Sequence, residues 1–196
     1  MRVIGITGTI ASGKSTTAAM FGDEGVPVFS ADATVHDLYR RKAVPAVGEL
    51  FPSAVVDGEV DRRRLGTLLA ADPSLVPRLE AIIHPLVRAE EEAFIARARA
   101  EGHPAVVIEH PLIFEKGERQ RFDIVVATTA PAALREERAL ARPGMTRETY
   151  RLLSGRQLPD EEKQARADFV VDTGSGMDAA RAAVRHILGR LAARRD

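Results

Sequence analysis

The chain has no cysteine, which removes disulfides, thiolate metal sites and a cysteine nucleophile together and suits a reducing compartment. It also has no asparagine, so the Asn-Lys-x-Asp element with which GTP-binding switches read guanine has no place in it. Net charge is absent as well. The 28 basic and 28 acidic side chains cancel, leaving no global pull toward nucleic acid or an anionic membrane, so any phosphate binding must be local. No apolar run approaches membrane-spanning length, and the first stops too early for the apolar region of a secretion signal. The expectation is a soluble, cytoplasmic protein without nucleic-acid or membrane partners. Five histidines without a metal-like cluster argue against zinc, and neither internal repeats nor low-complexity segments occur.

What is present begins at Gly8-Thr9-Ile10-Ala11-Ser12-Gly13-Lys14-Ser15, a full match to the phosphate-binding pattern G-x-x-x-x-G-K-[ST]. The flanks supply the context the pattern needs. Arg2-Val3-Ile4-Gly5-Ile6-Thr7 is short and β-branched like a buried strand, and Thr16-Thr17-Ala18-Ala19-Met20-Phe21 opens a helix. Gly8 and Gly13 let the backbone turn its N–H groups inward, Lys14 brings a cation to the outer phosphates, and the Ser15 hydroxyl suits Mg²⁺. A dinucleotide fold would place G-x-G-x-x-G in this turn, and the glycine spacing does not match it. The ligand class is a nucleoside triphosphate.

At 196 residues the chain accommodates one sizeable core and thus a single domain, with room for an inserted lobe. Four further apolar runs follow, at Val26–Phe29, Ala105–Ile108, Phe122–Ala127 and Phe169–Val171, separated by helical patterns. This alternation predicts an α/β fold with a largely parallel sheet covered on both sides. Helices are expected over 14–22, 31–41, 61–71, 73–100, 131–141, 146–157 and 177–194. The long helical gap from about 30 to 104 reads as a lobe for a second substrate. The arginine-dense stretch from Arg135 to Arg166, two helical pieces joined at Arg142-Pro143-Gly144, reads as a lid.

Several side chains are candidates for chemistry. Asp32, just after the second strand, fits either a base that accepts a proton from an attacking hydroxyl or an N-cap for a helix beginning near Ala33. Arg135, Arg138 and Arg142 share one helical face, suited to neutralising charge on a transferred phosphoryl group, although such faces are often only solvated. Glu109 ends the Ala105–Ile108 run, where a carboxylate can support an Mg²⁺ shell. His84-Pro85 with Arg88 sets an imidazole and a guanidinium one turn apart.

Taken in order, Thr7–Thr16, Gly25-Val26-Pro27-Val28, Ala31-Asp32, Asp61-Arg62-Arg63, Leu79–Arg88, Pro111-Leu112-Ile113-Phe114-Glu115, Arg138 and Arg142, Arg156-Gln157, Glu161-Glu162-Lys163 and Ala167–Gly174 resemble the dephospho-CoA kinase family over essentially the whole chain. The phosphate loop is common to many enzymes; His84-Pro85 together with Pro111–Glu115 is far more discriminating. The resemblance implies transfer of the ATP γ-phosphate to the ribose 3′-hydroxyl of dephospho-CoA, giving CoA and ADP. It implies a three-layer P-loop kinase core with a five-stranded parallel sheet of order 2-3-1-4-5, a substrate lobe over about 33–100 and a lid over about 138–166.

By the same resemblance Asp32 is the base, Lys14 and Arg142 stabilise charge, and Ser15 binds Mg²⁺. ATP would meet Gly8, Ala11, Ser12, Gly13, Lys14, Ser15 and Thr16, with Arg138, Arg142 and Thr173, the last in a loop beside the adenine. The acceptor would meet Thr7, Asp32, His84 and Arg88, in a monomer or weak homo-oligomer. Thr9 and Ala11 stand where the family usually has glycine, Ser30 replaces the first Asp of an Asp-Ala-Asp, and Glu109 stands where Asp is frequent. Competing readings are another phosphotransferase on the same core and an ATP-binding interaction module without turnover.

Overall fold

The computed structural model describes residues 1–193. In chain order its elements are β1 (Arg2–Gly8), α1 (Lys14–Asp23), β2 (Val28–Ser30), α2 (Ala31–Leu38), α3 (Val44–Leu50), β3 (Val55–Val56), β4 (Glu59–Val60), α4 (Arg62–Ala71) and α5 (Val76–Ala100). There follow β5 (Ala105–Glu109), β6 (Ile124–Thr129), α6 (Ala132–Leu140), α7 (Arg147–Ser154), α8 (Asp160–Arg166), β7 (Phe169–Asp172) and α9 (Met177–Ala193). They group into two compact units, one of Met1–Phe29 with Ala98 onward, the other Ser30–Arg97.

The first unit is built on a five-stranded parallel sheet, ordered β2-β5-β1-β6-β7. Counted without the separate β3–β4 ladder, the sheet strands run in the expected 2-3-1-4-5 order. β1 lies at the centre with Ile4 opposite both Val107 and Ile124. Because side chains alternate along a strand, Ile4 and Ile6 face one side and Gly5 and Thr7 the other. Ile4, Ile6, Val107 and Val126 are wholly buried with Met20 and Phe21 of α1 and with Ala180, Val184, Ile187 and Leu191 of α9. The spacing of those α9 residues follows the 3.6-residue period of a helix that buries one face. The polar side of α9 is also used: Arg181 pairs with Asp23 at 2.8 Å and Arg185 with Glu24 at 2.7 Å, at the end of α1. The predicted last helical residue, 194, lies outside the described residues.

The second unit has its own apolar core, in which Leu38, Tyr39, Val47, Phe51, Val60, Leu65, Leu79 and Ile83 are buried. It differs from the sequence expectation in several places. The helix expected over 31–41 stops at Leu38, a separate α3 follows, and the helix expected from 73 begins as a 3-10 turn at Pro73–Leu75 before α5. The β3–β4 hairpin was not expected, yet its turn is Asp57-Gly58, both at positive φ (51° and 78°), which is the Asp-Gly signature of a tight hairpin. Asp61 caps α4 by accepting from the N–H groups of Arg63 and Arg64 at 2.8 and 3.0 Å. Those bonds, that of Arg64 first, hold its carboxyl below the usual Asp range. Pro85 sits inside α5, whose helical run continues past it.

Among the described residues no helix is long and apolar enough to cross a membrane. The core of the first unit predicts a sharp contrast between the central strand and the edge strand β7: Ile6→Ala, at a wholly buried site, lowers unfolding free energy by about 2–5 kcal/mol, while Val170→Ala, at an exposed one, changes it by less than about 0.5 kcal/mol, as read by chemical denaturation.

Candidate functional site

The loop between β1 and α1 is held open by backbone geometry. Gly13 takes the N-cap position of α1 at φ 91° and ψ 20°, and no side chain caps the helix or places an acid in its first turn. The N–H groups of that turn are therefore left for an anion, with the positive end of the helix dipole behind them. Gly13 is required by space as well as by φ, since a Cβ there would lie 2.7 Å from Cγ2 of Thr173. Ala11 adopts φ 60°, a left-handed conformation taken by only one other non-glycine residue described, Asp57.

Each predicted loop residue has a defined place. Lys14 Nζ donates to the carbonyls of Gly8 and Thr9, both at 3.0 Å, across the mouth of the loop. Ser12 is fully buried and its hydroxyl shares a 2.7 Å bond with that of Thr128. Ser15 Oγ donates to Glu109 Oε1 at 2.6 Å, bringing the loop hydroxyl and the strand-end acid together. Thr16 is exposed in the first turn of α1. Thr7 is wholly enclosed and its hydroxyl donates to Pro111 O at 3.2 Å; its side chain fixes Pro111 and presents nothing to a ligand.

Thr173 is also enclosed. Its hydroxyl reaches Ser12 O at 2.9 Å and Thr129 O at 3.1 Å, while Arg138 donates to its Oγ1 and its carbonyl, both at 2.9 Å. Thr173 is thus the floor of the loop and Arg138 its clamp. Asp172 beside it lies below the usual Asp range, first through the Ser175 hydroxyl and then through the Gly174 N–H. Arg142 is exposed; its backbone bonds to Ala139 and Met145, while among the described residues its side chain makes neither a hydrogen bond nor an ion pair.

The remaining predicted residues belong to the second unit. Asp32 is exposed in the first turn of α2. Its N-cap reading is corrected: the helix begins at Ala31, and the cap is Ser30, whose hydroxyl accepts from Ala33 N–H at 3.4 Å. His84 and Arg88 are exposed on α5, and Arg88 donates to Glu92 at 3.2 Å.

The arginine-rich stretch holds three helices rather than two, because α8 is separate from α7. Both ends of the stretch are tied to the loop. Arg135 donates from Nη1 to Thr9 Oγ1 at 2.6 Å and from Nε to Ala130 O at 2.9 Å. On the far side Gln157 accepts from Ile10 N–H at 2.7 Å, and Asp160 accepts from the Thr9 hydroxyl at 3.0 Å. Lys163, fully buried, lies 2.6 Å from Glu115 and 3.0 Å from Pro111 O. Between these ties no residue of α7 is buried, and Leu152 is exposed. Sequence reading missed the roles of Gln157, Asp160 and Lys163 because their partners lie tens of residues away in the chain.

His110 follows Glu109 and is largely enclosed. Its Nδ1 accepts from Leu112 N–H at 3.3 Å and its Nε2 faces Glu118 at 3.1 Å. Burial lowers its pKa from the ordinary histidine value; Glu118 opposes the shift, and Arg121 and Lys116 add to it.

The family described as dephospho-CoA kinase matches residues 2–178. A dephospho-CoA kinase of Mesorhizobium japonicum is 52% identical over 195 residues, covering 100% of this chain and 99% of its own. Among solved structures, TT1252 from Thermus thermophilus superposes with a TM-score of 0.82 at 37% identity over 97% of both chains. A dephospho-CoA kinase from Campylobacter jejuni, at 23% identity, has the same fold with a TM-score of 0.71 over 96% of both chains.

Two outcomes follow from the buried groups of the site. Lys163→Met strands Glu115, whose Oε2 already has no hydrogen-bond partner, and lowers stability by about 3–5 kcal/mol in denaturant titration. Since the folded protein holds His110 neutral below the ordinary value of about 6.5, the unfolded chain binds the extra proton as pH falls, and stability present above that value is lost on acidification. The drop in melting temperature between about pH 7.5 and about pH 5 is therefore larger for the native chain than for His110→Gln.

Proposed function

The chain belongs to the dephospho-CoA kinase family, and on that premise we propose how its residues divide the transfer of a phosphoryl group from ATP to the 3′-hydroxyl of dephospho-CoA, the last step of CoA synthesis. The observation that carries the activity is identity with a relative of that name along the whole chain, since the phosphate loop alone serves many kinases.

In this reading the first-turn N–H groups of α1 and Lys14 hold the triphosphate. Asp32 accepts the proton of the 3′-hydroxyl as its oxygen bonds to the γ-phosphorus and the bond to the β-phosphate oxygen breaks, releasing ADP. The structure favours Asp32 for this over a capping role, because Ser30 already caps α2. Arg142, exposed and unpaired among the described residues, is the arginine we assign to the charge on the transferred group. Arg138 acts through Thr173 instead of on the phosphates. The unit Ser30–Arg97, with His84 and Arg88, is assigned to the acceptor, and the stretch between Arg138 and Gln157 to a lid that excludes water.

The residues also fit Mg²⁺. Ser15 Oγ and Glu109 Oε1 are hard oxygen donors 2.6 Å apart, and among the described residues no group of three or more His, Cys, Asp or Glu forms a dedicated metal cage. That sparse set suits an ion that keeps waters and phosphate oxygens as its other ligands. When bound it would neutralise charge on the triphosphate. The protein is read as cytoplasmic, which its lack of cysteine suits, and as a monomer or weak homo-oligomer.

The test is ADP release with Mg-ATP and dephospho-CoA, with adenosine, AMP and shikimate as competing acceptors and CoA identified as product. Turnover with dephospho-CoA alone is expected. Asp32→Asn lowers kcat by about 10²–10⁴-fold with little change in ATP affinity, and Lys14→Ala removes activity. Near-normal kcat in Asp32→Asn removes it from the role of base.

A further inference from the structure

Asp160 is 6% exposed, and all the partners of its carboxylate are neutral donors. Oδ1 accepts from Thr9 Oγ1 at 3.0 Å; Oδ2 accepts from Thr129 Oγ1 and from Gln164 Nε2, the latter at 3.0 Å. A buried acid carries a desolvation cost that only a complete set of hydrogen bonds offsets, so its neighbours are held closely in place. One of them is part of the phosphate loop.

Thr9 is bound at two atoms, each of them twice. Its hydroxyl donates to Asp160 and accepts from Arg135, and its carbonyl accepts from Lys14 Nζ at 3.0 Å and from Ser12 N–H at 3.2 Å. Asp160 thus reaches the loop's lysine through a single residue. Glycine in place of Thr9 would offer no hydroxyl for this contact, so the side chain that departs from the usual loop pattern is the one that makes it.

We propose that Asp160 is a positioning residue for ATP: through the Thr9 hydroxyl it fixes the carbonyl on which Lys14 rests, and so sets the affinity of the loop for the triphosphate without touching either substrate. The proposal rests on the kinase reading given above. It requires Asp160 and Thr9 to act as a couple, so removal of either partner has the same effect and removal of both adds nothing.

Steady-state kinetics with each substrate varied, together with calorimetric titration of Mg-ADP, test this on the full chain. Asp160→Asn and Thr9→Val each raise the KM for ATP and the Kd for ADP about tenfold, with a smaller change in kcat and in the KM for dephospho-CoA. Thr9→Ser, which keeps the hydroxyl, stays within about twofold of the native chain, and the double variant is no weaker than the weaker single one. Unchanged nucleotide affinity with only a lower melting temperature or active fraction overturns the proposal, as do single effects that multiply in the double variant. Should Asp160→Asn fail to fold, Asp160→Glu, which keeps the charge but shifts the carboxylate off the Thr9 hydroxyl, takes its place in the same comparison. ADP titration needs no acceptor, so a native chain inert toward dephospho-CoA would defeat the kinase reading while leaving the positioning result legible.

Discussion

The constraint on which the first unit depends is an uncapped helix N-terminus. A short loop must turn from the central strand into α1 while leaving the first N–H groups of that helix without side-chain partners, and such groups are costly unless a ligand or water takes them. Everything around the loop serves to keep it in a conformation it would not hold alone. Below, Thr173 fills the space that a side chain at Gly13 would occupy. Behind it, Ser12 and Thr128 join hydroxyls. Parallel β1 and β5 bring Glu109 level with Ile6, from where it reaches Ser15.

The supports are polar, and they are buried. Thr9, Ser12, Glu109, Thr128, Asp160, Lys163 and Thr173 are all enclosed, a composition at odds with an apolar core and costly wherever a partner is missing. What such groups contribute is direction: a hydrogen bond fixes orientation where apolar contact fixes only proximity. The division is visible along β1, where Ile4 and Ile6 pack against α1 and α9 while Thr7, on the opposite side, holds Pro111. Both faces are packed, the second by Val106, Ile108, Val125, Ile113 and Phe122, and the polar supports of the loop are set into that packing. The separate apolar core of Ser30–Arg97 has a different balance, with charged pairs such as Arg40 with Glu59 on its exposed surface.

How much of this was legible in the sequence depended on the range of the interaction. The five sheet strands announce themselves as short apolar runs separated by helical patterns, the phosphate loop by fixed spacing, and α1 by its place directly after that loop. The β3–β4 turn was equally local at Asp57-Gly58, but its strands are only two residues each, too short to show alternation. α3 and α8 were lost for the same reason: seven-residue helices offer scarcely two turns of pattern. The contacts that organise the site were not legible at all. Thr9 with Asp160, Thr173 with Ser12, and Lys163 with Glu115 are pairs that only the folded topology brings together. Asp32 is the intermediate case, since its residue type and place were readable but its neighbour Ser30 had to be seen capping α2 before the capping role could be set aside.

Ala11 shows what the buried polar contacts have to outweigh. A non-glycine residue at φ 60° costs on the order of 1–2 kcal/mol relative to the right-handed region, and glycine would avoid that cost. Alanine in turn restricts the unfolded chain, which offsets a few tenths to about 1 kcal/mol of it. The remainder is of the size of one or two charge-assisted hydrogen bonds. Thr9, two residues earlier, supplies bonds of that kind through Asp160 and Arg135, and the residue between them, Ile10, is held by Gln157. The two departures from a glycine-rich loop thus act in opposite directions, a backbone cost at Ala11 and added anchorage at Thr9. A loop with glycine at both positions would need neither, and would reach the same curl with more freedom to leave it.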